Sequence, residues 1–177
     1  MLDRHRYTET EIDRILKTMT ILTDSREQKN DHILAYFDQH GIPHKKMGLP
    51  FGDYSLMIPA DPDLGISRDK YFYDEIFIER KNSAEELSGC FTQTRSRFEE
   101  EFAIAKARKK YLLIENCTYS DIIEGKYRTD YGAKSFAASL HTFNCKYDLE
   151  VVFMQDISYT PIFITGTLHY YLRNILK

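Results

Sequence analysis

Apolar and polar positions alternate in two rhythms along the chain, and the change of rhythm marks out its elements. Ile12, Ile15, Leu16 and Met19 recur at helical spacing behind Thr8 and Glu11, a capping-box pair, so the spacing predicts a helix over 8–19. The short apolar run "TILTD" at 20–24 reads as a strand, and 27–41 reads as a helix with Ile33, Leu34 and Phe37 inward and Gly41 as its stop. "GDYSLMIP" at 52–59 reads as a strand entered by a glycine turn. The turn-rich segment 60–69 then leads, as a hairpin, into one strand, "YFYDEIFIER". A helical region follows from Ser83 to about Lys109, with a break expected near Gly89. Strands at 110–115 and 149–154 and helices near 132–146 and 158–176 complete the pattern. Helices and strands alternate after residue 70, which predicts an α/β fold around a largely buried sheet. Residues 1–19 read as a helical appendage and 20–177 as the main domain.

Length and charge narrow the picture. The 177 residues suit one domain with a sizeable core. The net charge of −3 leaves no general polycation, so any nucleic-acid contact must come from a local basic patch. Cys90, Cys117 and Cys145 are odd in number and widely spaced, which fits a reducing compartment better than a disulfide framework or a zinc site. The charged N-terminus shows no secretion signal, and no apolar run is long enough for a membrane span. No Gly-rich phosphate loop is present, so no nucleotide cofactor is expected.

The chemistry concentrates at strand ends. In "FIERK" an apolar run closes on Glu79, Arg80 and Lys81. Strand side chains alternate between faces, so Glu79 and Lys81 project together and Arg80 opposes them. A hard cation such as Mg²⁺ takes oxygen ligands and keeps several waters, so one or two carboxylates suffice to hold it. Glu79 supplies one, and Asp53, at the start of the neighbouring strand, is the candidate for the other. The same two acids also suit an ion pair at a strand end, where exposed pairs contribute about 0–1 kcal/mol. Lys81 is positioned to orient a water or hold a phosphate oxygen. A second cluster, Asp24, Arg26 and Glu27, lies where a strand ends and a helix opens; Arg26 carries the planar fork that grips a phosphate or a carboxylate. For Glu27 taken alone, the helix macrodipole is the favoured explanation. Tyr54, next to Asp53, is the aromatic residue with a candidate role in the site. Among the scattered basic residues, Arg95 and Arg97 follow the charged strand most closely and are the favoured phosphate contacts. Lys106 to Lys110 read instead as a helix C-terminus.

"ILTDSRE", "FGDYSL", "FIERKNSAEEL", "RSRFEEEF" and "KYLLIE" resemble, in order and spacing, the nuclease domain of the XPF-type structure-specific endonucleases of the PD-(D/E)XK superfamily. The resemblance spans about residues 20–175. It implies a restriction-endonuclease-like core, a mixed central sheet flanked by helices, and Mg²⁺- or Mn²⁺-dependent cleavage of DNA. It implies metal binding by Asp53 and Glu79, a catalytic Lys81, and contributions to cleavage from Asp24, Arg26, Glu27 and Arg80, with Arg26, Arg80, Arg95 and Arg97 available to DNA. The family's last aspartate falls on Glu85, which keeps the acid with one more methylene. Family members in eukaryotes and archaea carry a helix-hairpin-helix module after the nuclease; none is read here, so the chain resembles the short bacterial or phage members. That places it in a cytoplasm, or in a nucleus if the source is eukaryotic, and leaves repair, recombination and phage replication open. The family also implies pairing of two copies through the C-terminal region, where Phe163, Leu168, Tyr171, Leu172 and Ile175 serve equally as a surface or as core. The alternatives are a non-catalytic DNA-binding subunit with a nuclease-like fold, and an interaction protein whose charges are structural.

Overall fold

A computed structural model describes residues 6–177; the first five residues of the expected N-terminal appendage lie outside the described residues. Helix α1 (Glu9–Thr18) begins at the foreseen capping box, with Thr8 and Glu11 exchanging side-chain and backbone hydrogen bonds. Strand β1 (Thr20–Asp24) follows at once. Helix α2 (Asp31–Gln39) is shorter than the expected 27–41: residues 25–30 form a turn in which Lys29 takes a positive φ of 56°. The alternation rule missed strand β2 (His44–Met47), whose lysines face solvent at the sheet edge.

Strand β3 (Tyr54–Ile58) enters from Gly52, where φ is +65° and an added Cβ would sit 2.5 Å from the Phe77 ring. Both facts require glycine there. The expected single strand at 71–80 is two pieces, β4 (Lys70–Tyr71) and β5 (Ile76–Lys81), because the chain turns through 72–75, where Glu75 and Ile76 donate back to the Phe72 carbonyl. Both pieces pair with β3. The helical region breaks at Gln93–Thr94 rather than Gly89, giving α3 (Ala84–Thr92) and α4 (Arg95–Ile104). Helix α4 stops short of Lys106, so the basic run does not cap it; Lys109 instead opens strand β6 (Lys109–Glu115). A short helix that periodicity did not reveal, α5 (Tyr119–Glu124), precedes α6 (Ala133–Tyr147), β7 (Leu149–Met154) and α7 (Thr160–Leu176).

The sheet runs β2-β1-β3-β5-β6-β7, with β3 antiparallel to its neighbours and the other pairs parallel. It is the expected mixed central sheet flanked by helices. One face packs on α1, α2 and α7 through Ile76, Ile78, Tyr54, Leu56 and Leu113. The other packs on α3, α4 and α6 through Phe77, Leu112 and Ile114. Each such aliphatic side chain, once buried, contributes about 1.5–3 kcal/mol. Leu168 and Leu172 are fully buried in the first core, which removes them from the surface read as a pairing face; Ile175 stays exposed. No helix among the described residues is long and apolar enough to cross a membrane.

Candidate active site

The period of two in β5 decides the site. Phe77 lies with the α3–α4 core and Ile78 with the α1–α7 core, so Glu79 and Lys81 emerge toward α3 and α4 while Arg80 emerges opposite. Tyr54 pairs with Ile78 across the antiparallel strands, which sets Asp53 against Glu79 one step further on. Asp53 is held from both sides: its N–H donates to the Ile78 carbonyl at 2.9 Å, and its carbonyl accepts from the Asp24 N–H at 2.8 Å. Its Oδ2 accepts the backbone N–H of Arg80 at 2.7 Å. Asp53, Glu79 and Lys81 line one cleft of about 270 Å³, with Arg26, Arg97 and Glu101 on its walls.

This cleft is electrically tense. Burial, then the neighbouring Glu79 and Glu27 charges, hold the Asp53 carboxyl well above the usual carboxylate range. Lys81 Nζ lies 2.5 Å from Glu79 Oε1, 3.9 Å from Glu86 and 5.2 Å from the centre of the Phe98 ring. Burial would lower the Lys81 pKa, but the Glu79 and Asp53 charges outweigh it and raise it, so the side chain stays an ammonium. Glu101, a carboxylate that no sequence expectation covered, is also pushed up, by burial and then by Glu79.

On the opposite side of β5 the charge is buried, at the edge of a second pocket that Glu27, Lys29 and Glu86 also line. Arg80 is 4% exposed, and its guanidinium donates to Glu27 at 2.5 Å, to Glu115 at 2.6 Å and to the Lys29 carbonyl at 3.0 Å; its Nε has no partner among the described residues. The expected availability of Arg80 to DNA is not seen: its guanidinium is taken up by two carboxylates and a carbonyl. Burial raises the Glu27 pKa even against Arg80. For Glu115, burial is outweighed by the hydrogen bonds from Arg80 and His32, and its carboxyl is held below the usual range.

The remaining expected residues divide. Asp24 is 1% exposed and accepts from the Arg26 N–H at 2.6 Å, from the Arg26 side chain at 2.9 Å and from the Leu49 N–H at 2.8 Å, so it shapes the turn below the cleft. Burial pushes its pKa up, but the Arg26 and Leu49 hydrogen bonds win and lower it. Arg26 itself stays two-thirds exposed at the cleft. Arg97 is exposed beside Glu101 at 3.6 Å. Arg95, expected to face DNA, turns the other way: it donates to Ser139 at 2.9 Å and to Glu99 at 3.0 Å, and ties α4 to α6. Tyr54 faces the first core, fully buried, with its hydroxyl accepting from Asn30 at 3.2 Å, so it has no place in the cleft. Glu85 lies outside the cleft too; it accepts the Arg128 N–H at 2.9 Å, which lowers its pKa. The acid of that helix start nearest Lys81 is Glu86, which also accepts the Asn82 N–H at 2.9 Å.

The residues sequence reasoning missed have unequal signals. Glu115 closes "LLIE" just as Glu79 closes "FIE", so the same signature was present. Glu101 is one of three consecutive glutamates, and only helix packing selects it.

The ERCC4 domain profile matches residues 23–166. No curated protein sequence matches the chain. Among solved structures, XPF from Aeropyrum pernix superposes with a TM-score of 0.61 at 18% identity, covering 86% of this chain and 61% of that one. The same organism's XPF in complex with DNA gives 0.60 at 17% identity, covering 86% and 64%. The chain thus spans less than two thirds of the length of these relatives, and at such identity the likeness is one of fold.

Proposed function

This chain belongs to the ERCC4 domain family, and from that premise we propose that it is a nuclease, a divalent-metal-dependent hydrolase of DNA phosphodiester bonds. The observation that carries the reading is the convergence of Asp53, Glu79 and Lys81 in one cleft with Arg26 and Arg97 at its walls. The DNA in one of the XPF structures supports the substrate class by analogy.

The residues present suit a hard cation. Asp53 and Glu79 share one buried cleft with a single ammonium, Lys81; burial first, and then the Glu79 charge, push the Asp53 carboxyl up, and a cation would relieve both. Among the described residues no three Asp, Glu, His or Cys side chains form a closed ligand cluster, so a cation held by Asp53 and Glu79 would complete its shell with water, as Mg²⁺ does. When bound, Mg²⁺ or Mn²⁺ supplies a lowered pKa for an attacking water and charge to offset the phosphate. Lys81, locked as an ammonium, acts as a donor that orients water or a phosphate oxygen and not as a base. Glu101, with its raised pKa, suits taking up a proton at the cleft wall. Exposed Arg26 and Arg97 bind the sugar-phosphate backbone.

Branched or flap DNA in repair, recombination or phage replication is the proposed setting, and pairing of two copies through the part-exposed Phe163, Tyr171 and Ile175 belongs to the same proposal. Sedimentation at two concentrations tests the pairing. The function is tested by mixing the protein with duplex, flap and fork DNA, with Mg²⁺, with Mn²⁺ and with chelator. Cutting is expected with either metal and is expected to stop with chelator. Cutting that persists in Glu79→Ala would falsify this site. DNA binding equal with and without metal, and no cutting, would favour the non-catalytic subunit.

A further inference from the structure

Arg80 sits in sequence between the two cleft-facing residues of β5, yet its charge is spent on the far side of the sheet. There Glu27 and Glu115 grip the guanidinium at 2.5 and 2.6 Å. Glu115 is 1% exposed, and its other oxygen lies 2.9 Å from Nε2 of His32, on α2, whose side chain is 26% exposed. A carboxylate only accepts, so His32 donates. Glu115 is not part of the cleft wall and has no counterpart in the cleft chemistry.

Stability does not explain this set. Removing such charges from water costs so much that apolar side chains of similar volume serve as well or better. Position does explain it. Strand side chains are rigidly coupled through the backbone, so any rotation of β5 that shifted Arg80 would swing Glu79 and Lys81 the other way. The Arg80 N–H also holds the Asp53 carboxylate, so one residue reaches both strands of the cleft. We propose that Glu115, steadied by His32, is a positioning residue: it fixes the Arg80 fork and through it the aim of Asp53, Glu79 and Lys81. This rests on the catalytic reading of the cleft.

The test uses the full chain and three variants. Glu115→Gln keeps the volume and an acceptor for Arg80 but removes the charge. It is expected to lower kcat about 10–100-fold and raise the Mn²⁺ concentration needed for half-maximal cutting, with KM for DNA unchanged. His32→Ala is expected to lose a few-fold, and His32→Gln, whose amide can still donate to Glu115, to recover it. Thermal melting runs alongside. A Glu115→Gln protein that melts lower but matches the parent in kcat and Mn²⁺ requirement overturns the proposal and leaves Glu115 a structural residue. Mn²⁺ binding, followed by electron paramagnetic resonance, gives a readout that needs no cutting: an unchanged dissociation constant in Glu115→Gln also overturns it. A parent chain that neither binds Mn²⁺ nor cuts overturns the cleft reading itself, and with it the premise here.

Discussion

The two faces of β5 at residues 79–81 place like groups in unlike conditions. Toward α3 and α4, Glu79, Lys81 and Asp53 line an open cleft and repel or pull on one another without full compensation. Toward α2, Arg80 is enclosed by two carboxylates and a carbonyl, and each of them accepts a hydrogen bond from its guanidinium. The first arrangement leaves room for a ligand; in the second the guanidinium is almost fully buried and its hydrogen bonds are taken up within the protein. On the proposed reading, adjacent residues of one strand divide between chemistry and support, and the contrast separates what a substitution does to activity from what it does to folding.

The largest effect should come from the cleft. Glu79→Gln is expected to cut DNA at least about 100-fold more slowly, with melting nearly unchanged; an equal loss of both in parallel assays would erase the contrast. Next is the supporting face: Glu115→Ala leaves Arg80 short of a buried partner and should cost about 3 kcal/mol, seen as a melting temperature lower by roughly 10 °C. Because the Glu115 pKa lies below its ordinary 4.5, its stabilisation is present above that pH and is lost as pH falls through the depressed value. Parent and Glu115→Ala should therefore converge in acid.

Asp53→Asn has the opposite sign. The raised Asp53 pKa means that the folded protein favours the protonated form, so its penalty grows as pH rises from the ordinary carboxylate range toward the raised value and is complete above it. The variant should gain about 1 kcal/mol at neutral pH, lose that advantage as the solution is acidified, and lose cutting throughout. Denaturation at pH 7 and pH 4 checks the sign. The smallest effect is at the exposed rim: Arg97→Ala should leave melting alone, weaken DNA binding modestly and reduce the salt slope of the affinity by about 1, read from titrations at several salt concentrations.

Much of the fold was legible because burial writes itself into periodicity. The capping box at Thr8 and Glu11, the apolar runs of β5 and β6, and the four-residue spacing of Ile164, Leu168, Leu172 and Leu176 on α7 all follow from local chemistry. Strand β2 escaped because an edge strand with exposed lysines has no apolar alternation to reveal it. The split between β4 and β5 escaped because its aromatic residues look like strand, while the turn is held by hydrogen bonds to the Phe72 carbonyl. In the site, Asp53, Glu79 and Lys81 could be picked out by residue type and spacing. Arg95 and Arg97 could not be told apart in the same way, since each is a basic residue on the same helix and only the neighbouring α6 decides which one is tied down.

The amino-acid sequence by itself determined most of the elements, the alternation of faces along each strand and the family to which the chain belongs. Those follow from the two-residue period of strands, the 3.6-residue period of helices and the order of a few motifs. Only the tertiary structure decided that Arg80 is enclosed by Glu27 and Glu115, that Tyr54 belongs to the core, that Glu86 rather than Glu85 approaches Lys81, and that Glu101 lines the cleft. The reason is that those roles depend on which charges are shut away from water together, and that is set by packing between segments far apart in the chain.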